Sequence, residues 1–264
     1  MSKTIMITGA ATGLGLGASI GLAKAGHKII AGVQDHIQET TLRQDAAAAE
    51  VELEIIEIDL NEIADHRFAQ SYEVDILVNN AAVGEAGPIA EIPVDRVRRV
   101  FDVNVFGTLE FTQPFIRKFV ERGRGKVVFV SSIVGFMTYP YLAPYCASKH
   151  ALEAIAQLMR NELEGTGVQI CTINPGPFST GFNRRMYDTV DQWFDPDENF
   201  SSETRIRAIQ EKFKGSDFEY DPKLMIERMV DVIPKDHHDF RTVWPEQVIQ
   251  DCLEYQEKLW KLQI

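Results

Sequence analysis

Short apolar runs rich in β-branched residues alternate along the chain with longer amphipathic stretches. The first run, residues 3–8, centres on the unbroken apolar stretch Ile5-Met6-Ile7. That is the pattern of a strand buried on both faces. The same reading predicts strands over residues 52–58, 75–78, 126–130, 168–173 and 240–243, and over Lys28–Val33. Helical periodicity covers residues 13–25 and stops at Gly26, a residue suited to the position just past a helix end. Further helices are predicted around the alanine run 46–49 and over residues 95–122, 145–163, 222–233 and 247–262. Pro114 should kink the longest of these, because proline removes a hydrogen bond inside a helix. Strands and helices in strict alternation give a parallel sheet with right-handed crossovers. The predicted fold is therefore α/β: a Rossmann-type doubly wound parallel sheet of about seven strands, covered by helices on both faces. No Pro/Gly/Ser-rich linker breaks the pattern, so residues 1–264 are expected to form a single domain.

Charge narrows the possible partners. Asp and Glu number 39 against 27 Lys and Arg, a net charge of −12. An acidic surface repels a nucleic-acid backbone, and Arg96, Arg98 and Arg99 are too few to make a basic patch. No run approaches the roughly 18–20 apolar residues needed to span a bilayer. The pattern of the first strand begins at the third residue, so no targeting segment is expected ahead of it. The three cysteines, Cys146, Cys171 and Cys252, are far apart in sequence. They form neither a disulfide framework nor a zinc pattern, and suit a reducing cytoplasm. No metal site is expected.

The chemistry starts where the first strand ends, at Thr8-Gly9-Ala10-Ala11-Thr12-Gly13-Leu14-Gly15. A tight turn between a strand and a helix lets backbone N–H groups approach a pyrophosphate. Gly9, Thr12, Gly13 and Leu14 are the residues expected to do so in a dinucleotide site. The second strand should end at the adenosine ribose, where an acid suits NAD and a base suits NADP. Here it ends in Val33-Gln34, which is neutral. No Lys or Arg stands ready for a 2′-phosphate, so the reading leans to NAD and leaves NADP open. Asp35 suits a ribose contact or a helix N-cap equally.

Tyr145 and Lys149 lie four apart in Tyr145-Cys146-Ala147-Ser148-Lys149, on one face of a predicted helix. An ammonium near a phenol favours the phenolate, so such a pair can exchange a proton closer to neutrality. The strand 126–130 ends in Ser131-Ser132, and either hydroxyl is placed to bond a carbonyl or alkoxide oxygen.

Taken together, these stretches resemble the single-domain branch of the short-chain dehydrogenase/reductase family. Thr8-Gly9 with Gly13 and Gly15 resembles TGxxxGxG; Asn79-Asn80-Ala81-Ala82 resembles NNAG; Tyr145 and Lys149 resemble YxxxK. Ser132, Asn104 and the Pro175-Gly176 pair with Thr180 complete the pattern in the right order. The resemblance implies that Tyr145 is the acid/base and that Lys149 lowers its pKa and holds the nicotinamide ribose. It implies that Ser132 orients the substrate oxygen and that Asn104 places a relay water. Asn79 would support the central strands. Asp59, Leu60, Asn80, Ala81, Pro175, Gly176 and Thr180 would line the cofactor site with Gln34, Tyr145 and Lys149. The family pattern has glycine where this chain has Ala82, and tolerance of that methyl is expected.

By the same resemblance, residues of about 176–240 form a lid over the substrate. Phe136, Tyr139, Tyr141, Phe178, Phe182, Trp193, Phe194, Phe200, Phe213 and Phe218 make this region and the loop before Tyr145 aromatic. Phe136, Tyr139, Tyr141, Phe178, Phe182, Trp193 and Phe194 would line a pocket for an apolar or aromatic secondary alcohol or ketone, or form a core of the lid itself. Arg184, Arg185, Asp188 and Asp191 read as solvated surface. The resemblance also implies a homodimer or homotetramer through the long helices, to which Leu152, Ile155, Ala156 and Met159 give an apolar side. Two other functions compete with a dehydrogenase: a dinucleotide-binding regulatory protein without catalysis, and an epimerase or dehydratase. An intact Asn104, Ser132, Tyr145, Lys149 set disfavours the first, and the glycine spacing disfavours the second.

Overall fold

A computed structural model describes residues 1–212 and 219–263; Phe213 and Phe218 lie outside the described residues. Among these, seven strands form one parallel sheet in the order β3-β2-β1-β4-β5-β6-β7. They are β1 (Thr4–Ile7), β2 (Lys28–Val33), β3 (Glu54–Glu57), β4 (Ile76–Asn79), β5 (Gly125–Val130), β6 (Val168–Pro175) and β7 (Arg241–Trp244). All seven predicted strands are present, and β3 is shorter than the run that announced it. The helices are α1 (Gly13–Lys24), α2 (His36–Ala48), α3 (Ile63–Ala69), α4 (Val94–Phe101), α5 (Thr108–Glu121) and α6 (Ala143–Glu162). After them come α7 (Phe182–Asp188), α8 (Glu203–Lys212), α9 (Pro222–Val232) and α10 (Gln247–Leu259).

The continuous apolar runs are explained by two cores. Ile5, Ile7, Ile29, Ala31, Val128 and Ile173 face one side and meet Ala18 and Leu22 of α1, Leu42 of α2, and Met225 and Met229 of α9. Their neighbours Met6, Ile30, Leu77, Val127, Phe129 and Ile170 face the other side. There they meet Phe111, Phe115 and Phe119, a stripe at four-residue spacing along α5. Each of these rings is at most 1% exposed, and truncating one such ring to alanine costs about 3–5 kcal/mol. Leu152, Ala156 and Met159 of α6 join this second core. The apolar side of α6 is thus largely covered by the chain's own sheet.

The long helix departs from expectation. Its break is not at Pro114, which sits within α5, but at a π-helical segment, Asp102–Gly107, between α4 and α5. Asn104 lies in this segment and bonds the backbone of Val83 in both directions: Val83 N–H donates to Oδ1 at 2.9 Å and Nδ2 donates to the Val83 carbonyl at 2.9 Å. A Cβ on Gly107 would stand 2.3 Å from the Leu60 carbonyl oxygen. The widened turn therefore fits between the chain segments that come after β3 and β4.

Candidate active site

The strand ends converge on one cleft at the carboxyl edge of the sheet, the place where open α/β sheets bind ligands. Gly9, Thr12, Gly13, Leu14, Gln34, Asp59, Leu60, Asn80 and Ala81 line it from β1, α1 and the ends of β2, β3 and β4. Ser132, Tyr145, Lys149, Pro175, Gly176 and Thr180 line it from α6, from the ends of β5 and β6, and from the segment between β6 and α7. Asn104 does not line the cleft.

The glycine turn is shaped for close approach. Gly9 has φ +64°, and a Cβ there would lie 2.7 Å from the Ala81 Cα. A Cβ on Gly15 would lie 2.3 Å from the Gly9 carbonyl oxygen and 2.5 Å from Asn80 Nδ2. Asn80 holds the turn in place: its Nδ2 donates to the carbonyls of Thr8 and Gly9, each at 3.0 Å. The Thr8 hydroxyl accepts from the N–H groups of Asn80 and Ala81. Helix α1 begins at this turn with no side-chain cap and no acid in its first turn. Its first N–H groups and the positive end of its dipole are left for an anion. An uncapped helix behind a turn that admits no Cβ fits a dinucleotide pyrophosphate. Among the described residues, only Glu50 and Tyr141 of the non-glycines have positive φ. Ala82 therefore has an ordinary backbone, and its methyl strains no turn.

At the ribose end, Asp35 is resolved as a cap. Its carboxylate accepts from Gln38 N–H at 2.8 Å, and it does not line the cleft. Gln34 lines the cleft instead and donates to Asp59 Oδ2 at 3.1 Å. Asp35→Ala should therefore cost about 1 kcal/mol of stability as a lost N-cap. The ratio of NADH to NADPH affinity should not move; denaturation and titration measure the two.

Asn79, at the end of β4, is buried; its Nδ2 donates to Thr112 Oγ1 at 2.8 Å, and its Oδ1 has no partner. Ser132 is 8% exposed, and its hydroxyl donates to the Pro175 carbonyl at 3.3 Å. The Ser131 hydroxyl, one residue back, is buried without a partner. Tyr145 sits two residues into α6, its ring 5.3 Å from that of Phe182. Burial raises its pKa above the ordinary phenol value, as does Cys146, while a hydrogen bond with Ser132 lowers it. Lys149 is 2% exposed and donates to the Val130 carbonyl at 2.8 Å. Burial pushes its pKa down to about 8 against the pull of Glu153. In the chain alone, then, Lys149 is not among the groups that move Tyr145. Its ammonium is 5.6 Å from the ring centre and engaged with a carbonyl.

Asn104 stands behind the cleft. Besides Val83, its Nδ2 donates to Ser148 Oγ at 3.0 Å, and that hydroxyl donates to the Tyr145 carbonyl at 2.8 Å. Both Nδ2 hydrogens and one acceptor site of Oδ1 are thus taken by the protein, so the amide braces α6.

The aromatic residues divide between the two expected roles. Tyr139, Phe178 and Phe182 line the cleft. Phe136, Tyr141, Trp193 and Phe194 pack instead into a third core with Met186, Val190, Ile206 and Val248, and Phe200 is 81% exposed. Gln38, Asn183, Arg185 and Met186 also line the cleft and were not expected to. Phe182, Arg185 and Met186 share one face of α7 by their spacing of three and four, a signal present in the sequence. Among the described residues no cluster of three or more His, Cys, Asp or Glu is placed to hold a metal ion. Among them, too, no helix is long and apolar enough to cross a membrane.

Comparison with known proteins places the chain among relatives. A family model described as short chain dehydrogenase matches residues 3–191. An uncharacterized oxidoreductase, YusZ, of Bacillus subtilis is 36% identical over 189 residues, 67% of this chain and 66% of that protein. The (S)-acetoin-forming diacetyl reductase of Staphylococcus epidermidis is 31% identical over 230 residues, 80% of this chain and 87% of that protein. A solved short-chain dehydrogenase from Streptomyces avermitilis superposes with a TM-score of 0.79 at 21% identity, over 99% of this chain and 93% of that one. Actinorhodin polyketide ketoreductase, solved with NADPH, superposes with a TM-score of 0.76 at 23% identity, over 92% and 95%. The two structures establish likeness of fold alone. The family model, which spans most of the chain including the glycine turn and the Tyr145–Lys149 helix, carries the assignment: the chain belongs to the short-chain dehydrogenases, oxidoreductases that use NAD or NADP.

Proposed function

We propose that the chain moves a hydride between a nicotinamide dinucleotide and the carbon of an apolar or aromatic secondary alcohol or ketone. The observation that carries this reading is the meeting of Ser132, Tyr145 and Lys149 with the glycine turn in a single cleft. When bound, the dinucleotide supplies or accepts the hydride. Gly9, Thr12, Gly13 and Leu14 would hold its pyrophosphate at the start of α1; Gln34, Asp59 and Leu60 the adenosine end; and Asn80, Ala81, Pro175, Gly176 and Thr180 the nicotinamide half. Lys149 would donate to the ribose hydroxyls. A pKa of about 8 leaves it mostly an ammonium at neutral pH.

Ser132 would donate a hydrogen bond to the substrate oxygen, and Tyr145 would give it the proton in the reducing direction. Burial keeps the Tyr145 phenol protonated at neutral pH, the state that a proton donor needs. In the oxidising direction the phenolate is needed, and the positive charges of Lys149 and of an oxidised nicotinamide would favour it. Val134, Leu142, Phe182 and Met186 give the substrate end of the cleft an apolar wall, which supports an apolar substrate. The likeness to a diacetyl reductase supports carbonyl chemistry. Of the segment expected as a lid, Pro177, Phe178, Thr180, Phe182, Asn183 and Met186 line the cleft and would close over the substrate as part of a single domain, whereas α9 packs on α1 in the first core. Phe106 and Leu158, 56% and 57% exposed, lie in the π segment and on α6; they would be covered in a homodimer or homotetramer.

NAD is the proposed cofactor, because Gln34 offers no positive charge to a 2′-phosphate. Gln34→Arg should strengthen NADPH binding relative to NADH by about tenfold, the scale of one added charge-assisted contact to phosphate. Titration of both reduced dinucleotides against the two proteins measures this. A parent that binds NADPH the more tightly contradicts the NAD assignment.

A further inference from the structure

We propose that Glu153 is a positioning residue that ties the helix of Tyr145 and Lys149 to the strand end of Ser132. This rests on the hydride-transfer roles proposed for those three residues. Glu153 lies on α6 one turn beyond Lys149 and two beyond Tyr145, and is 5% exposed. Its two oxygens go to two different strands. Oε1 accepts from Asn174 Nδ2 on β6 at 2.6 Å; Oε2 accepts from Arg241 Nε on β7 at 3.1 Å. The Thr172 hydroxyl donates to Asn174 Oδ1 at 2.8 Å, which fixes the amide with its nitrogen toward Glu153. The same Asn174 nitrogen reaches the Ser132 carbonyl at 3.4 Å, a weak bond. The turn after Ser132 rests on the carboxylate stem: a Cβ on Gly135 would stand 2.8 Å from Glu153 Cγ.

One buried carboxylate thus connects three elements around the reacting groups. Burying a charge is costly even when it is paired, and an apolar side chain would fill the space without that cost. What the charge adds is direction: its bonds hold α6 in one register against the end of β5. It also acts on Lys149. On its own helix Lys149 faces Tyr145 and Glu153, and from β5 the Val130 carbonyl; from the π segment, Asn104 is engaged with Val83 and Ser148. Among the described residues, Glu153 is the one charged group that shifts Lys149, and it favours the ammonium.

Three variants separate the parts. Glu153→Gln presents an amide to two donors, so it breaks one bond and removes the charge. Asn174→Ala cuts the link toward Ser132 and keeps the charge. Arg241→Met keeps both the charge and the Asn174 bond. The first readout is the titration of Lys149 in lysine-labelled protein, tracked through the side-chain carbon resonance that disappears in Lys149→Met. It needs neither dinucleotide nor substrate. The parent midpoint should lie near 8; Glu153→Gln should lower it by about one unit, while Asn174→Ala and Arg241→Met leave it unmoved. The second readout is kcat, which should fall about tenfold in both Glu153→Gln and Asn174→Ala through misplacement of the reacting groups. If Glu153→Gln does not fold, Asn174→Ala carries the test, with parental kcat overturning the proposal. An unmoved Lys149 midpoint together with parental kcat in a folded Glu153→Gln protein overturns it as well. Failure of the hydride reading is a separate result: it shows as undiminished turnover in Tyr145→Phe, whatever Lys149 does.

Discussion

Tyr145→Phe should lower kcat for ketone reduction by about 10²–10⁴-fold, the usual weight of one positioned acid, and leave dinucleotide affinity near that of the parent. The substitution removes a single hydroxyl. The ring keeps its contact with Phe182 and its place early in α6. The Ser132 hydroxyl loses its partner but keeps the Pro175 carbonyl. The hydrogen bonds that hold the glycine turn run to Asn80 and Ala81, so binding and chemistry should separate cleanly. Steady-state kinetics and a dinucleotide titration on the same preparation measure both. Loss of binding in parallel with turnover would show the phenol to be part of the cofactor seat instead.

Gly9→Ala should act in the opposite way, on binding first. The new methyl meets two obstacles at once. Its backbone would have to remain at φ +64°, a region that costs a non-glycine residue about 1–3 kcal/mol. Its Cβ would stand 2.7 Å from the Ala81 Cα, and backbone cannot yield as a flexible side chain does. Overpacking of this kind costs about 1–3 kcal/mol more. If the turn relaxes by moving away from Ala81, the bonds from Asn80 to the Thr8 and Gly9 carbonyls lengthen and the N-terminus of α1 shifts. Dinucleotide affinity should then fall by about 10²-fold or more, the equivalent of some 3 kcal/mol. A lower unfolding midpoint should accompany it. Titration and thermal denaturation test the two effects; parental affinity in Gly9→Ala would mean that the turn does not hold the pyrophosphate.

How much of the fold and site is legible in the chain depends on how local each signal is. Strands buried on both faces announce themselves, because Ile5, Met6 and Ile7 are all apolar and need no knowledge of their neighbours. The glycine turn is legible for the same reason: strand, turn and helix are consecutive. The π segment was not legible, because the bond that holds it is the one between Asn104 and Val83, 21 residues away. Pro114, the visible helix breaker, drew the expected kink to the wrong turn. The aromatic residues of the lid could not be sorted by sequence, since Phe182 and Trp193 differ only in what the fold sets against them. Asp35 had two local readings, and only the observed bond to the Gln38 N–H chose the cap. The Glu153–Asn174–Arg241 cluster unites residues from three elements and has no sequence signature at all.

The glycine turn, the fold and the relatives would all be expected of a protein that only binds a dinucleotide. Transfer of the hydride itself distinguishes the two. The direct measurement traces deuterium from a reduced dinucleotide labelled at the nicotinamide C4 into a panel of apolar and aryl ketones, with products read by mass spectrometry. Hydride transfer in this cleft predicts one deuterium on the carbinol carbon of at least one product with the parent protein, and its near-disappearance with Tyr145→Phe. A protein that binds the labelled dinucleotide but transfers no deuterium to any ketone, or transfers it equally well without the Tyr145 hydroxyl, would contradict the account.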